Sequence, residues 1–266
     1  MTLPRRLWQE MTSPEIAALT DDTVVILPVA AIEQHGPHLP VMVDACINQE
    51  LLARALAQAP ADLPVTALPM QMTGTSDEHL LFPGTLTLTS DTLTRVCMDL
   101  GRSVHRAGLR RLVLLNSHGG QPQVLDIVAR RLRVELAMFV VNVSWSALGV
   151  PEGLFGAAEL THGFHGGDIE TSLMLHFRPD LVRMDLAGDF VSWSQEMARD
   201  YKILTAEGRV GFGWQTQDLH PSGVCGNAAA ATAEKGAAVA ARQIEKFIAL
   251  LEEVARYPLD RIITSR

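Results

Sequence analysis

The sequence predicts an α/β fold, with a mostly parallel central sheet covered by helices on both faces. Four short aliphatic or β-branched runs, at 23–28, 64–68, 111–116 and 137–144, are separated by longer segments with helical spacing. Strand and helix in alternation generate parallel strands joined by helical crossovers. A hydrophobic fraction of 47% across 266 residues supplies the core of one large domain, and with only 5% aromatic residues the packing falls to aliphatic side chains and alanine.

Each element follows from local chemistry. The run Thr23-Val-Val-Ile-Leu-Pro28 reads as the first strand. Residues 44–59 place Ile47, Leu51, Leu52, Ala55 and Leu56 at helical intervals. A second helix spans 90–107, with Ser90 or Asp91 as N-cap and Gly108 as stop. A third spans 122–136, its proline in the first turn, where a missing N–H costs nothing. Beyond Ser144 the chain turns glycine-rich over 147–168, then predicts a helix over 169–177 that stops before Pro179. Residues 185–226 carry no strong period and two of the four tryptophans, and read as irregular covering structure. An alanine-rich helix from near Asn227 to about Arg256 closes the chain. With no internal repeat and no linker, residues 1–266 are expected to form a single domain.

Composition excludes several classes of function. The net charge is -8 and the basic residues form only short pairs, which argues against a nucleic-acid partner. The three cysteines, Cys46, Cys97 and Cys225, form no C-x-x-C and fit the reduced thiols of a cytosolic protein. The first ten residues lack the apolar segment of a signal peptide, and no stretch approaches the roughly 18 apolar residues of a membrane span. A cytoplasmic protein without a membrane partner is expected.

In parallel α/β sheets ligands bind in loops at the carboxyl ends of the strands. Three clusters occupy such positions: Glu33, His35 and Asp44 after the first strand, Asn116-Ser-His118-Gly119-Gly120 after the third, and His165-Gly-Gly-Asp-Ile-Glu170 at the helix after the fourth. Taken singly, Asp44 could cap a helix, His118 could close a turn, and Glu170 could sit favourably in a first helical turn. His105 and His176 lie inside helices and read as structural. Together, Glu33, His35, Asp44, His118 and Glu170 are five metal-type side chains at loop positions expected on one sheet edge, a grouping suited to Zn²⁺, Mn²⁺ or Fe²⁺. The Gly119-Gly120 pair suggests close backbone approach to a bound molecule, and Trp145, just after the fourth strand, is a candidate aromatic wall or, equally, a packing residue.

The order Glu-x-His, eight residues, Asp, then a distant His-Gly-Gly loop and His-x-Gly-x-x-Glu-Thr-Ser resembles the creatininase (creatinine amidohydrolase) family. Glu78-His79-Leu-Leu-Phe-Pro-Gly-Thr-Leu-Thr-Leu88 and Ser222-Gly-Val-Cys-Gly-Asn extend the resemblance, which runs from about Leu27 to Gly236. It implies a three-layer α/β/α sandwich, one or two divalent ions per chain, and a homohexamer. It also implies Glu33, His35, Asp44, His118 and Glu170 as the ligands; in the two-ion form Asp44 would bridge, with Glu33 and His118 on one ion and His35 and Glu170 on the other. His165 would be the general acid/base, and His79, Gly119, Gly120 and Trp145 would line the substrate. Creatininase itself has a carboxylate where this chain has Gly120 and a tryptophan where it has Thr161. The chain therefore looks closer to the wider family, which includes deformylases, a peptide-trimming enzyme and hydrolases of cyclic keto-sugars. The implied reaction is metal-dependent hydrolysis of a small amide or cyclic amide. The alternatives are hydrolytic opening of a cyclic ketone such as a keto-inositol, or a metal-binding scaffold without catalysis.

Overall fold

In the computed structural model, which describes residues 3 and 5–263, the four apolar runs form one parallel sheet. Met1, Thr2 and Pro4, part of the segment read for a signal peptide, lie outside the described residues. The strands are β1 (Val24–Val29), β2 (Val65–Ala67), β3 (Arg111–Asn116) and β4 (Phe139–Ser144), in the order β2-β1-β3-β4. Val24 pairs with Val65 on one side and Arg111 on the other, Val29 pairs with Asn116, and Asn116 pairs with Ser144. The carboxyl ends of β1, β3 and β4 therefore stand side by side. The loops that leave them begin on one edge.

Strands β1 and β3 are buried at every residue, because each face of the sheet packs against helices. Successive side chains alternate between two cores. Val24, Ile26, Val113 and Leu115 pack with α2 (Val43–Gln58), α6 (Asp168–Phe177) and α9 (Ala233–Arg256). Val25, Leu27, Leu112 and Leu114 pack with α3 (Ser90–Arg106) and α4 (Pro122–Leu136). This is the three-layer α/β/α architecture. Shorter pieces complete the fold: α1 (Ser13–Ala17), α5 (Ala157–His162), α7 (Ser194–Asp200), α8 (Thr216–Leu219), and an antiparallel pair of β5 (Asp189–Phe190) with β6 (Gly226–Asn227).

Three boundaries differ from the sequence reading. Thr89, rather than Ser90 or Asp91, caps α3 by accepting a hydrogen bond from the Thr92 amide. Asp44 lies one residue inside α2 and caps nothing. The last helix begins at Ala233 rather than near Asn227, because Asn227 pairs with Asp189 and Thr232 supplies the cap to the Lys235 amide. The cysteines are free and buried, as expected of small apolar residues.

Helices α6 and α9 touch at Gly236, where a Cβ would stand 1.9 Å from the Ser172 carbonyl oxygen. That neighbour is backbone and cannot step aside cheaply. Gly236→Ala is expected to lower the unfolding free energy by about 1–3 kcal/mol, the usual cost of overpacking. Urea denaturation should show the midpoint falling with the slope unchanged.

Candidate metal centre

Asn48 fixes the roots of the site. One turn after Asp44 on α2, its side-chain amide donates to the carbonyls of Val29 (3.2 Å) and Leu115 (3.1 Å), and its carbonyl accepts from Trp145 Nε1 (3.2 Å). The ends of β1 and β3 and the turn after β4 are thus tied to the helix that carries Asp44. Asn116 then holds the next loop: its Oδ1 accepts from the His118 amide and its Nδ2 donates to the His118 carbonyl. His38 links the first loop to the third by donating from Nε2 to the Gly166 carbonyl.

On this frame Glu33, His35, Asp44, His118 and Glu170 converge. His118 Nδ1 is 3.2 Å from Glu33 Oε1 and 3.6 Å from Asp44 Oδ2. His35 Nε2 is 3.9 Å from Asp44 Oδ1 and 3.7 Å from Glu170 Oε2. Asp44 therefore faces His118, itself beside Glu33, with one oxygen and His35, itself beside Glu170, with the other. Both imidazoles have a fixed tautomer, since a carbonyl only accepts. His35 Nδ1–H donates to the Glu33 carbonyl (3.1 Å) and His118 Nε2–H to the Thr75 carbonyl (2.8 Å), so the inward nitrogen of each ring is the one that carries the lone pair when the ring is neutral.

Both Glu33 carboxylate oxygens, His35 Nε2 and Asp44 Oδ2 are buried without a well-formed hydrogen bond. Buried polar atoms left unsatisfied are costly, and four of them around one point fit a cation. Burial raises the Asp44 carboxyl well above its usual range, and the neighbouring Glu33 adds to the effect. Burial acts the same way on Glu33, but His118 and His79 outweigh it and hold that carboxyl well below its usual value. Burial brings His35 down to about 4, a neutral ligand at pH 7. At His118 burial is outweighed by Glu33, Glu78 and Asp44, which push the imidazole well above its usual value. A cation entering here must displace the His118 proton. Metal affinity is therefore expected to rise with pH through the neutral range. Chelator competition at pH 6, 7 and 8 checks the slope, and a flat profile would remove His118 from the ligand set.

Above these groups opens a cavity of about 390 Å³. His79, Gly119 and Gly120 line it, and so does His165, whose Nδ1 is 3.7 Å from Glu33 Oε1. Burial, reinforced by His35 and His79, holds His165 well below its usual value, so the ring is neutral with a bare Nδ1. Trp145 is not on the wall. It is 2% exposed, hydrogen-bonded to Asn48 and packed on Phe247 at 4.8 Å between ring centroids, and the packing role displaces the aromatic-wall expectation. The aromatic wall comes instead from Phe164, Phe212 and Trp214. The last two belong to the irregular 185–226 segment, whose sequence gives no positional signal.

The structure adds Glu78. Its Oε1 is 3.2 Å from His118 Nε2, and a Cβ at position 120 would stand 1.8 Å from that same oxygen. Glycine at 120 therefore makes the room that the Glu78 carboxylate occupies. The Glu78-His79 motif signals something in this turn, but the contact depends on an absent side chain 42 positions away.

Fold and site together define an α/β/α metalloprotein with a carboxylate–histidine centre at the carboxyl edge of its sheet. The creatininase (creatinine amidohydrolase) family model matches residues 9–251, and the chain belongs to that family. A mycofactocin precursor peptide peptidase of Mycolicibacterium smegmatis is 34% identical over 164 residues, which is 61% of this chain and 61% of that protein. The chain thus spans under two thirds of that relative's length. A creatinine amidohydrolase of Pseudomonas putida is 33% identical over 201 residues, 68% of this chain and 74% of that protein. Among solved structures, "Creatininase Mn" superposes with a TM-score of 0.74 at 26% identity, covering 93% of this chain and 98% of its own. The relatives named here are hydrolases.

Proposed function

We propose that the protein is a metal-dependent hydrolase that cleaves the C–N bond of a small amide, cyclic or linear, with Glu33, His35, Asp44, His118 and Glu170 as metal ligands and His165 as general acid/base. The observation that carries this reading is the set of orphaned buried donors beneath a cavity that also presents the bare Nδ1 of His165. A divalent ion bound there supplies a Lewis acid and lowers the pKa of water toward 7.

The chain's own groups do the rest. His165 Nδ1 takes the proton of the attacking water and returns it to the departing amide nitrogen, a shuttle suited to a neutral imidazole. Gly119, with open space where a Cβ would stand, lets the substrate approach the backbone, whereas Gly120 makes room for the Glu78 carboxylate. The relatives' activities on a peptide and on creatinine, both C–N cleavages, support the bond type. Two groups of ligands sharing Asp44 support two ions per chain, with Zn²⁺, Mn²⁺ and Fe²⁺ all suited to these donors. Exposed Leu80, Leu81 and Leu86 support burial against further copies in the homohexamer the family resemblance implies. No described helix is long and apolar enough to cross a membrane.

The test is a panel of amides, lactams, short peptides and cyclic ketones, assayed with protein reloaded with Zn²⁺ or Mn²⁺. Hydrolysis of a C–N substrate is the expected result. Turnover of cyclic ketones alone would transfer the reading to C–C hydrolysis, and a metal-loaded protein inert across the panel would overturn it.

A further inference from the structure

Gln34 sits between the two metal-ligand candidates Glu33 and His35, and all of its polar atoms are committed. Its side-chain Oε1 accepts from the Gly36 amide at 2.9 Å, and its Nε2 donates to the Gly223 carbonyl at 2.8 Å. These two bonds fix the orientation of the amide, since the flipped form would set donor against donor and acceptor against acceptor. The second Nε2 proton goes to His79 Nδ1, 2.8 Å away, and not to His165 Nε2 at 3.2 Å, whose own hydrogen is committed to the Gln34 carbonyl. The backbone carbonyl of the same residue accepts from His165 Nε2, also at 2.8 Å.

The consequence is a tautomer assignment for both rings. His79 Nδ1 receives a proton from Gln34 and so must be bare, which puts the His79 hydrogen on Nε2, 3.2 Å from Glu33 Oε1. His165 Nε2 faces a carbonyl and so must carry its hydrogen, which leaves Nδ1 bare on the side of Glu33. The rings lie 4.2 Å apart, with 29° between their planes, and point opposite nitrogens inward. Of these two rings, His165 turns a lone pair toward Glu33 and His79 turns an N–H.

We propose that Gln34 is a positioning residue that locks His79 and His165 into the same Nε2–H tautomer, so that one ring presents a hydrogen-bond donor and the other a proton acceptor to a single substrate. Under the hydrolase reading, on which the catalytic consequence rests, His79 Nε2–H faces the carbonyl oxygen as negative charge develops on it. His165 Nδ1 takes the proton of the attacking water and delivers it to the leaving nitrogen. No other redox or covalent partner is required. Thr216 supports the arrangement: its hydroxyl stands 2.7 Å from His79 Nδ1 and 2.8 Å from the Glu78 carbonyl, and donates to either acceptor.

The test is ¹⁵N–¹H correlation spectroscopy of the imidazoles in the full chain loaded with Zn²⁺, with His79→Asn and His165→Asn used for assignment. Wild-type protein should show bare Nδ1 and protonated Nε2 on both residues. Gln34→Met should move the His79 hydrogen toward Nδ1, where Thr216 can accept it, and lower kcat about tenfold or more with metal content unchanged. Thr216→Val should leave the tautomers as they are. A wild-type His79 protonated on Nδ1 would overturn the proposal without any variant, and so would a Gln34→Met protein with native tautomers and native kcat. Native tautomers with no hydrolysis of any C–N substrate would sink the proposed function and leave the Gln34 assignment standing.

Discussion

Asp44→Ala is expected to leave a folded protein that retains no metal. Asp44 Oδ1 faces His35 and Oδ2 faces His118, at 3.9 and 3.6 Å, so its loss opens both halves of the donor set at once. Folding should survive. Without metal the Asp44 carboxyl is buried, its Oδ2 has no partner, and burial beside Glu33 already drives it toward the neutral form. Removing an unsatisfied buried group relieves a cost rather than breaking a bond. The metal-free variant should therefore melt at or above the temperature of the metal-free wild type. Elemental analysis after gel filtration reads the metal content, and a variant that keeps the wild-type complement would exclude Asp44 as the shared ligand.

His165→Asn is expected to do the reverse: metal stays and turnover goes. The ring borders the site through Nδ1, 3.7 Å from Glu33 Oε1, while its other nitrogen is tied to the Gln34 carbonyl. If it shuttles a proton, its loss should lower kcat by about 10²–10⁴. Substrate affinity and metal content should change little, because the five ligand candidates lie on other side chains. Single-turnover kinetics on whichever amide the panel yields would separate the chemical step from binding. Loss of metal together with loss of rate would instead make His165 a ligand, a role its position beside His35 and Glu170 permits geometrically.

The parallel core was legible because strands covered on both faces must be apolar at nearly every position. The runs at β1, β3 and β4 announce themselves for that reason. The clustering of Glu33, Asp44, His118 and Glu170 was legible because carboxylates and imidazoles at the ends of consecutive strands are forced toward one edge by the parallel connection. Other features were hidden for equally physical reasons. A tryptophan after a strand reads the same whether it faces a cavity or, like Trp145, a core. The start of α9 was set by the Asp189–Asn227 pairing, a contact between distant residues. Phe212 and Trp214 reach the cavity from a segment without periodicity, and Glu78 reaches His118 through a space defined by what Gly120 lacks.

Asn48 carries a consequence for how this protein is assembled and handled. The carbonyls of Val29 and Leu115 and the indole of Trp145 are gathered by one carboxamide that is itself no metal-ligand candidate. The strand ends that launch the donor loops are thus held in place before any ion arrives, unlike small zinc modules whose chains fold only around the metal. Ion binding then draws on a prepared cradle, and little of its free energy goes into ordering the chain. Such a protein is expected to stay folded when a chelator strips it and to take up metal again afterwards. The ion it carries would then follow supply at the time of loading rather than a choice made during folding.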